Sequence, residues 1–226
     1  MMSFQIAIDG PAGAGKSTVA RMAAKDLGFI YVDTGAMYRA MGLYFHDNNV
    51  DIESEEEVNR SLSGADVELK IVDGVQHVLL NGEDVTKRIR EEKAGMLASK
   101  TSQYPENRKK MTEMQRRIAR TENVVMDGRD IGTVVLPDAG LKIYLTASVE
   151  TRARRRFLEL EQKGQSPDLE KIKADIEQRD YQDMHREVAP LKQADDAVYL
   201  DTSDMTAREA ADKIIGLAKE RMTAGA

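Results

Sequence analysis

The sequence has 226 residues, a net charge of −6 and no cysteine. That length suffices for one domain with a sizeable core, and the lack of cysteine excludes disulfide bonds, a thiol nucleophile and thiolate metal sites. The acidic balance argues against general nucleic-acid binding, and no stretch has the apolar length of a membrane span, so we expect a soluble cytoplasmic protein.

The first motif follows a short apolar strand predicted at residues 4–8. Residues 10–17 read Gly-Pro-Ala-Gly-Ala-Gly-Lys-Ser, which fits the phosphate-loop pattern G-x-x-x-x-G-K-[ST], and helical spacing of apolar residues begins at Thr18. In such a loop the backbone N–H groups and the helix N-terminus bind phosphate, and glycines allow the close approach. Lys16 then faces the outer phosphates, and Ser17 offers a hydroxyl to Mg²⁺. The alternative, a glycine-rich turn with a chance lysine, does not account for the flanking strand and helix.

The next predicted elements continue a strand–helix alternation. A strand at 29–32 ends in Asp33-Thr34-Gly35 and is followed by a helix at about 36–45. This alternation predicts parallel strands with right-handed crossovers. The capping box that begins at Ser54 predicts the start of a further helix.

The pattern changes at about residues 65–85, where apolar and polar residues alternate with a period of two. The turn dipeptides Asp73-Gly74 and Asn81-Gly82 interrupt this alternation. We therefore expect an antiparallel hairpin or a small three-stranded sheet, inserted into a parallel α/β fold next to the substrate site.

The second half of the chain returns to the alternation. The predicted strands lie at 123–126, 141–145 and 197–200. The predicted helices lie at about 91–102, 105–120, 149–163 and 168–187, and the last one begins after Thr206.

Aspartates stand at the carboxyl ends of three predicted strands. Because ligands bind beyond the carboxyl ends of parallel strands, we expect Asp9, Asp33 and Asp127 to line one crevice. Asp127 and Asp33 are both candidates for a position near Mg²⁺. For either one, a helix N-cap or turn role remains the alternative, since aspartate is common there.

Arginines cluster in two of the later helices. Arg179, Asp183 and Arg186 are spaced i, i+4 and i+7 and share one helix face, which is either an exposed ion pair or a surface for a phosphate-bearing ligand. Arg152, Arg154, Arg155 and Arg156 precede the turn at Gly164, and this pattern favours a lid that closes over ATP and excludes water. Not all four arginines can point inward, so at least one should be solvated.

Five blocks of sequence together resemble the bacterial cytidylate kinases, a family of nucleoside monophosphate kinases. They are residues 9–17 (DGPAGAGKS), 33–39 (DTGAMYR), 127–133 (DGRDIGT), 179–186 (RDYQDMHR) and 189–191 (APL). The resemblance implies an α/β phosphate-loop fold of three layers with a five-stranded parallel sheet, a nucleotide-monophosphate-binding insertion with a small antiparallel sheet, and a short helical lid. It also implies one kinase domain over 1–226. Its parts would be a core of 1–33, 109–151 and 188–226, a CMP-binding part of 34–108 and a lid at about 152–168.

The same resemblance assigns roles by motif. ATP binding falls to Gly10, Pro11, Ala12, Gly13, Ala14, Gly15, Lys16, Ser17, Thr18 and Arg155. For CMP, the base would contact Ser99, Arg108 and Asp130, and the ribose would contact Arg179 and Asp183. The CMP phosphate would contact Arg39, Arg129 and Arg186. Thr34 and Tyr38 would line the CMP site. Catalysis falls to Lys16, Arg129, Arg155 and Arg186. Ser17 and Asp33 would hold Mg²⁺, directly or through water.

The implied reaction is phosphoryl transfer from ATP to CMP or dCMP by a monomer, with no nucleic-acid or membrane partner. A GTP-dependent switch would instead show a D-x-x-G and an N-K-x-D motif, and neither occurs in the sequence. A kinase for another small acceptor, such as UMP or a metabolite that is not a nucleotide, is the closest competitor.

Overall fold

The computed structural model describes residues 3–72 and 75–224. The strands are β1 (Gln5–Asp9), β2 (Ile30–Asp33), β3 (Val67–Val72), β4 (Val75–Leu80), β5 (Glu83–Asp84), β6 (Val124–Gly128), β7 (Leu141–Thr146) and β8 (Val198–Asp201). The helices are α1 (Lys16–Leu27), α2 (Thr34–Asp47), α3 (Glu55–Ser61), α4 (Glu92–Thr101), α5 (Pro105–Ala119), α6 (Val149–Gln162), α7 (Leu169–His185) and α8 (Ala207–Ala224).

Within the described ranges, the strands form a five-stranded parallel sheet and a three-stranded antiparallel sheet. The parallel order is β2-β6-β1-β7-β8, and the antiparallel order is β3-β4-β5. Both sheets confirm the fold class predicted from the alternation of elements. The chain divides into two compact units, one of residues up to Tyr31 and from Glu122 onward, and one of Val32–Thr121.

In the first unit, β1 is the middle strand of the parallel sheet. Its backbone pairs with β6 on one side and with β7 on the other. Continuous apolar runs such as Ile6-Ala7-Ile8 are fully buried, as expected for a sheet that is covered on both faces. Apolar residues of α1 and α8 belong to the same core cluster as these strands. The end of β1, and the loop that follows it, therefore lie at the centre of the sheet's edge.

The second unit is built around α2, which packs on α4, α5 and the antiparallel sheet. The methionines at helical spacing are core residues as predicted, since Met37, Met41 and Met111 are fully buried. Helices α2 and α4 approach closely at Gly42, where a Cβ atom would lie 2.8 Å from the Cβ atom of Leu97.

Several element boundaries differ from the predicted ones. Helix α1 begins at Lys16 rather than Thr18, because Gly15 adopts a left-handed conformation (φ 92°) and its carbonyl accepts the first helical hydrogen bonds. Helix α2 begins at Thr34 because the Asp33 carboxylate caps it. Helix α7 ends at His185, since Arg186 is already extended. The predicted turn at Asp73-Gly74 lies outside the described residues.

A five-residue π-helical turn, Ile131–Val135, follows β6 and had no counterpart in the predicted elements. It directly follows the Asp127-Gly128-Arg129-Asp130 segment. Among the described residues, no helix combines the length and the apolar composition that crossing a membrane requires.

Candidate active site

The phosphate-loop backbone owes its shape to glycine at three positions. Gly13 and Gly15 have left-handed φ angles of 73° and 92°. Gly10 has a φ of 152°, and a Cβ atom there would overlap the carbonyl oxygen of Leu145 on β7. The first glycine is therefore required by packing against the neighbouring strand, a reason in addition to the close phosphate approach that we expected.

Lys16 is the first residue of α1, and its side chain is buried. Its ammonium donates a hydrogen bond to the carbonyl oxygen of Pro11 over 2.7 Å, which folds the side chain back across its own loop. Burial, and then the positive charge of Arg129, lower the pKa of Lys16 to about 7. A bound anion such as phosphate would stabilise the protonated, charged form of Lys16.

Ser17 meets a carboxylate that lies far away in the sequence. Its hydroxyl donates to Oδ2 of Asp127 over 2.9 Å, and the hydroxyl of Tyr31 donates to Oδ1 over 2.8 Å. A serine hydroxyl beside a carboxylate is a donor set that suits Mg²⁺, which prefers oxygen and takes one or two carboxylates together with substrate phosphates. Among the described residues, no group of three or more His, Asp or Glu side chains is arranged to hold a metal ion.

Asp33, the other predicted Mg²⁺ neighbour, belongs to the second unit. Its Oδ1 accepts a hydrogen bond from the backbone N–H of Ala36 over 2.8 Å, so it is the N-cap of α2. This is the structural role that the sequence left open for it. Its assignment to the metal stays a prediction.

An ion-pair cluster in the first unit contains most of the residues assigned to the acceptor nucleotide there. Arg129 donates from Nε to Asp183 Oδ2 over 2.7 Å. Burial alone would raise the pKa of Asp183, but the charges of Arg129, Arg179 and Arg186 lower it below its usual range. Asp183 is therefore ionised at neutral pH and pairs with the guanidinium of Arg129.

Arg186 connects this cluster to the segment after β6. Its Nε donates to the carbonyl oxygen of Ala189 over 2.7 Å, and its Nη2 donates to Asp130 over 3.5 Å. Ala189 adopts a positive φ of 51°, and the next residue but one, Leu191, donates its N–H to the carbonyl oxygen of Asp183. The 189–191 block thus folds back on the end of α7 and fixes the guanidinium.

The four arginines of α6 divide into two pairs. Arg154 and Arg156 are exposed, which confirms that not all four point inward. Arg155 donates to backbone carbonyl oxygens, with 2.7 Å to Thr202 and 3.4 Å to Ala14 of the phosphate loop. Arg152 is 4% exposed and donates to the carbonyl oxygens of Ala147 and Ala12.

Arg152 also pairs with Asp180 of α7 over 2.7 Å. One guanidinium therefore links the phosphate loop, the end of β7 and α7. No local pattern in the sequence distinguishes Arg152 from its three neighbouring arginines, and none singles out Asp180. The Arg152 bond to Ala12 joins elements that are distant in the chain, and its pairing with Asp180 depends on how α6 packs on α7.

The residues of the second unit that were assigned to CMP lie on α2, α4 and α5. The guanidinium of Arg108 lies over the ring of Tyr38, 5.5 Å from its centroid, and donates to the carbonyl oxygen of Ser102 over 3.1 Å. Arg39 follows Tyr38 on α2, and its Nη2 would lie 3.8 Å from a Cβ atom at Gly35. Thr34 is buried, whereas Ser99 is partly exposed.

From its position in the sequence, Asp9 is expected only to line the crevice. The structure shows that its carboxylate accepts hydrogen bonds from the backbone N–H groups of Ile131 and Gly132, both over 2.7 Å. The available signal in the sequence was an aspartate at the end of an apolar strand. Such a strand is buried, and a buried carboxylate requires hydrogen-bond partners.

Comparisons with known proteins give one consistent result. Residues 6–220 match the family model described as cytidylate kinase. A cytidylate kinase from Caldicellulosiruptor saccharolyticus is 50% identical over 217 residues, covering 96% of this chain and 96% of that protein. One from Lactobacillus johnsonii is 51% identical over 218 residues, covering 96% of this chain and 95% of that protein.

A solved structure from Eubacterium ventriosum, described as an uncharacterized protein, shares the fold. It has a TM-score of 0.52 at 14% identity and covers 96% of this chain and 99% of that chain. The fold likeness carries no information about the reaction. The sequence matches do identify the group, and together with the phosphate loop and the segments built around β1 and β6 they show that the chain belongs to the cytidylate kinase family.

Proposed function

We propose that the protein transfers the γ-phosphoryl group of ATP to CMP or dCMP, giving ADP and CDP or dCDP. The observation that carries the proposal is the family match over residues 6–220, which spans the phosphate loop and the ion-pair cluster on β6 and α7. The relatives that are about half identical cover almost the whole chain and bear the same name.

The local geometry supports phosphoryl transfer. Catalysis of this reaction consists mainly of positioning and of stabilising charge on the transferred group. The phosphate loop offers backbone N–H groups, an α1 N-terminus and the Lys16 ammonium to the phosphates of ATP. The acceptor oxygen of a nucleoside monophosphate is already ionised, so the chain needs no general base, and a site rich in arginine and lysine suffices.

Mg²⁺ is proposed as the cofactor that accompanies ATP. When bound, it neutralises charge on the β- and γ-phosphate oxygens. Ser17 and Asp127 are the residues that fit it, with Asp33 as the further candidate from the sequence. Ser17 and Asp127 would hold and orient the metal–nucleotide complex, and the hydrogen bond from Tyr31 fixes the carboxylate of Asp127.

Recognition of cytosine is proposed to rest on Asp130, Arg108 and Ser99. Cytosine presents a donor at N4 and acceptors at N3 and O2, so a carboxylate suits the first and an arginine the others. Uracil reverses the donor and acceptor at two of these positions. Arg39, Arg129 and Arg186 are proposed for the CMP phosphate, and Arg179 and Asp183 for the ribose.

Arg155 is proposed to bind ATP and to take part in catalysis. We also propose that a lid at 152–168 closes, and that the chain divides into a core, a CMP-binding part and this lid. Arg155 already bonds the Ala14 carbonyl of the phosphate loop, which places its guanidinium beside that loop. We further propose a cytoplasmic monomer that acts in pyrimidine nucleotide metabolism and binds its nucleotides without nucleic-acid or membrane partners.

The test is an ADP-release assay with Mg²⁺, ATP and a panel of acceptors: CMP, dCMP, UMP, AMP and GMP, with a reaction lacking acceptor as the control. We expect CMP and dCMP to give rapid ADP release and the purine nucleotides to give none above the control. Faster release with UMP or AMP than with CMP would overturn the substrate assignment. Release that does not depend on any acceptor would identify an ATPase instead.

A further inference from the structure

The Asp9 carboxylate is a buried charged group to which the reaction described above assigns no task. Asp9 is the last residue of β1 and immediately precedes Gly10 of the phosphate loop. Its two oxygens each accept one backbone hydrogen bond, from Ile131 and from Gly132, at 2.7 Å. The residue is 5% exposed, so little water competes for these bonds.

The two amides that Asp9 binds open the π-helical turn Ile131–Val135. Asp130 occupies the N-cap position of this turn, where an aspartate ordinarily accepts from the first amides, yet in the described structure its side chain makes no capping bond. Its carboxylate accepts from Arg186 instead. Asp9, which is distant in the sequence, thus caps the turn, whereas the carboxylate of the adjacent Asp130 pairs with Arg186 of the ion-pair cluster.

Asp9 is well placed to act as a fixed anchor. Its backbone is paired on both sides, with Gly128 of β6 and Tyr144 of β7. A Cβ atom on Gly132 would lie 3.1 Å from the stem of Lys142 on β7 and 3.4 Å from the Asp9 carboxylate. The start of the turn is therefore closely packed against both β1 and β7.

We propose that Asp9 is a positioning residue for the acceptor nucleotide. Its hydrogen bonds to the Ile131 and Gly132 amides hold the start of the turn and thereby determine the positions of Asp130 and Arg129. The inference rests on the proposed function, since it assigns Asp130 and Arg129 to CMP. The backbone of β1 fixes the start of the phosphate loop independently of the Asp9 side chain, and among the influences on the lowered Lys16 pKa the charge of Asp9 comes after burial, Arg129, Asp127 and Asp183. The effect on CMP should therefore exceed the effect on ATP.

The charge of Asp9 matters to this role. Burial raises its pKa to about 6, against the two amide bonds and Lys16, which lower it, and together with Asp130, which raises it. At pH 7.5 the carboxylate is ionised and accepts both bonds. An asparagine accepts only one of them, and its NH₂ group opposes the second N–H.

The experiment is steady-state kinetics of full-length Asp9→Asn at pH 7.5 with Mg²⁺, ATP, CMP and UMP. We expect KM for CMP to rise about tenfold or more, as for the loss of a buried charge-assisted bond, and KM for ATP to stay within about threefold. The CMP-to-UMP ratio of kcat/KM should fall as well. The matched control is Asp201→Asn, at the end of β8, where an exposed carboxylate accepts from the Ser203 amide; it should behave as the parent.

Hydrogen exchange of the same proteins without nucleotide provides a second readout. Exchange in 130–135 should be faster in Asp9→Asn while exchange in α8 stays unchanged, which separates a local effect from general destabilisation. If Asp9→Asn does not fold, Gly132→Ala is the second variant: its methyl group would lie 3.1 Å from the Lys142 stem and 3.4 Å from the Asp9 carboxylate, so it should disturb the same contact and raise KM for CMP in the same way. Equal increases in both KM values, an unchanged CMP-to-UMP ratio, or unchanged exchange in 130–135 would overturn the inference. A parent protein that is inactive with CMP rejects the proposed function instead, and the exchange measurement then decides the anchoring role of Asp9.

Discussion

The hydroxyl of Ser17 lies 2.9 Å from a carboxylate oxygen of Asp127, and 110 positions separate the two residues in the chain. One belongs to the first turn of α1 and the other to β6, which runs beside β1 in the parallel sheet. This contact joins the helix that follows the phosphate loop to the strand that lies beside β1. It also distinguishes Asp127 from Asp33, whose carboxylate caps α2.

The first prediction compares these two aspartates. Asp127→Asn should raise the Mg²⁺ concentration needed for half-maximal activity by about tenfold, because a neutral amide is a weaker ligand than a carboxylate. Asp33→Asn should change it little, since asparagine is as good a helix N-cap as aspartate. The measurement is activity against Mg²⁺ at saturating ATP and CMP. A larger shift for Asp33→Asn than for Asp127→Asn would return the metal to the residue assigned from sequence.

The second prediction concerns Lys16. Its replacement by alanine should lower kcat by about 100-fold or more, because it removes a charge placed for the transferred phosphoryl group. Affinity for CMP, measured by calorimetry, should persist. Lys25→Ala is the control, since Lys25 is exposed on the same helix. A kcat within a few-fold of the parent would remove Lys16 from the reaction.

The third prediction is a proton uptake on ATP binding. Because burial and Arg129 lower the pKa of Lys16 to about 7, the side chain is mostly neutral at pH 8 in the free protein. Bound phosphate favours the charged form, so Lys16 should take up a proton. Calorimetric titrations at pH 8 in buffers with different ionisation enthalpies should show this uptake for the parent and lose most of it for Lys16→Met.

The same shift has a defined consequence for stability. In the unfolded chain Lys16 keeps its proton up to its ordinary pKa of 10.5, so between pH 7 and that value the unfolded state binds more protons than the folded one. The contribution of Lys16 to the free energy of unfolding should therefore rise with pH across this window. Denaturant titrations of the nucleotide-free parent and of Lys16→Met should diverge in that direction; a difference that shrinks with pH would contradict the assignment.

The fourth prediction compares two glycines. Gly10→Ala should lower the free energy of unfolding by more than about 3 kcal/mol, because the new Cβ atom overlaps the Leu145 carbonyl oxygen and the backbone has a strained φ for alanine. Gly216→Ala in α8 should raise it by about 0.5–1 kcal/mol, since within the described chain nothing lies within 4 Å of the added atom. Urea denaturation of both variants measures the two effects. Equal effects of the two substitutions would contradict the steric reason given for Gly10.

The fifth prediction tests the reading of cytosine by Asp130. Asp130→Asn should narrow the preference for CMP over UMP, because an amide can donate to the uracil oxygen that a carboxylate repels. A mismatched buried polar pair costs about 1–3 kcal/mol, so the ratio of kcat/KM values should change by about tenfold or more. An unchanged ratio would leave Asp130 as a turn residue and partner of Arg186.

Local signals in the sequence were sufficient to predict the order of helices and strands. The phosphate loop is an eight-residue pattern whose glycines and following helix are set by short-range geometry. The antiparallel insertion followed from a change of period and from turn dipeptides such as Asn81-Gly82. The capping box that begins at Thr206 is present in the structure with both of its bonds, because it too involves residues only three apart.

At Ser54 the local pattern was only partly informative. Ser54 caps α3 through the Glu57 N–H, but the Glu57 side chain accepts from the Asp51 N–H rather than closing the box. A residue outside the four-residue pattern competes for the same carboxylate. This competition is visible only once the chain before the helix has a conformation.

The partners of the buried charged groups were decided by the tertiary structure. Asp9 meets Ile131 and Gly132, and Ser17 meets Asp127, because β6 lies beside β1 and brings its carboxyl end and the following segment to the same edge. Arg152 reaches the carbonyl oxygen of Ala12 because β7 lies on the other side of β1. Periodicity and motif spacing report how a segment folds on itself, and they carry no information about which strand becomes its neighbour. A buried charge must nevertheless find a partner, so the strand order of the sheet, rather than any local pattern, determined which residue each one binds.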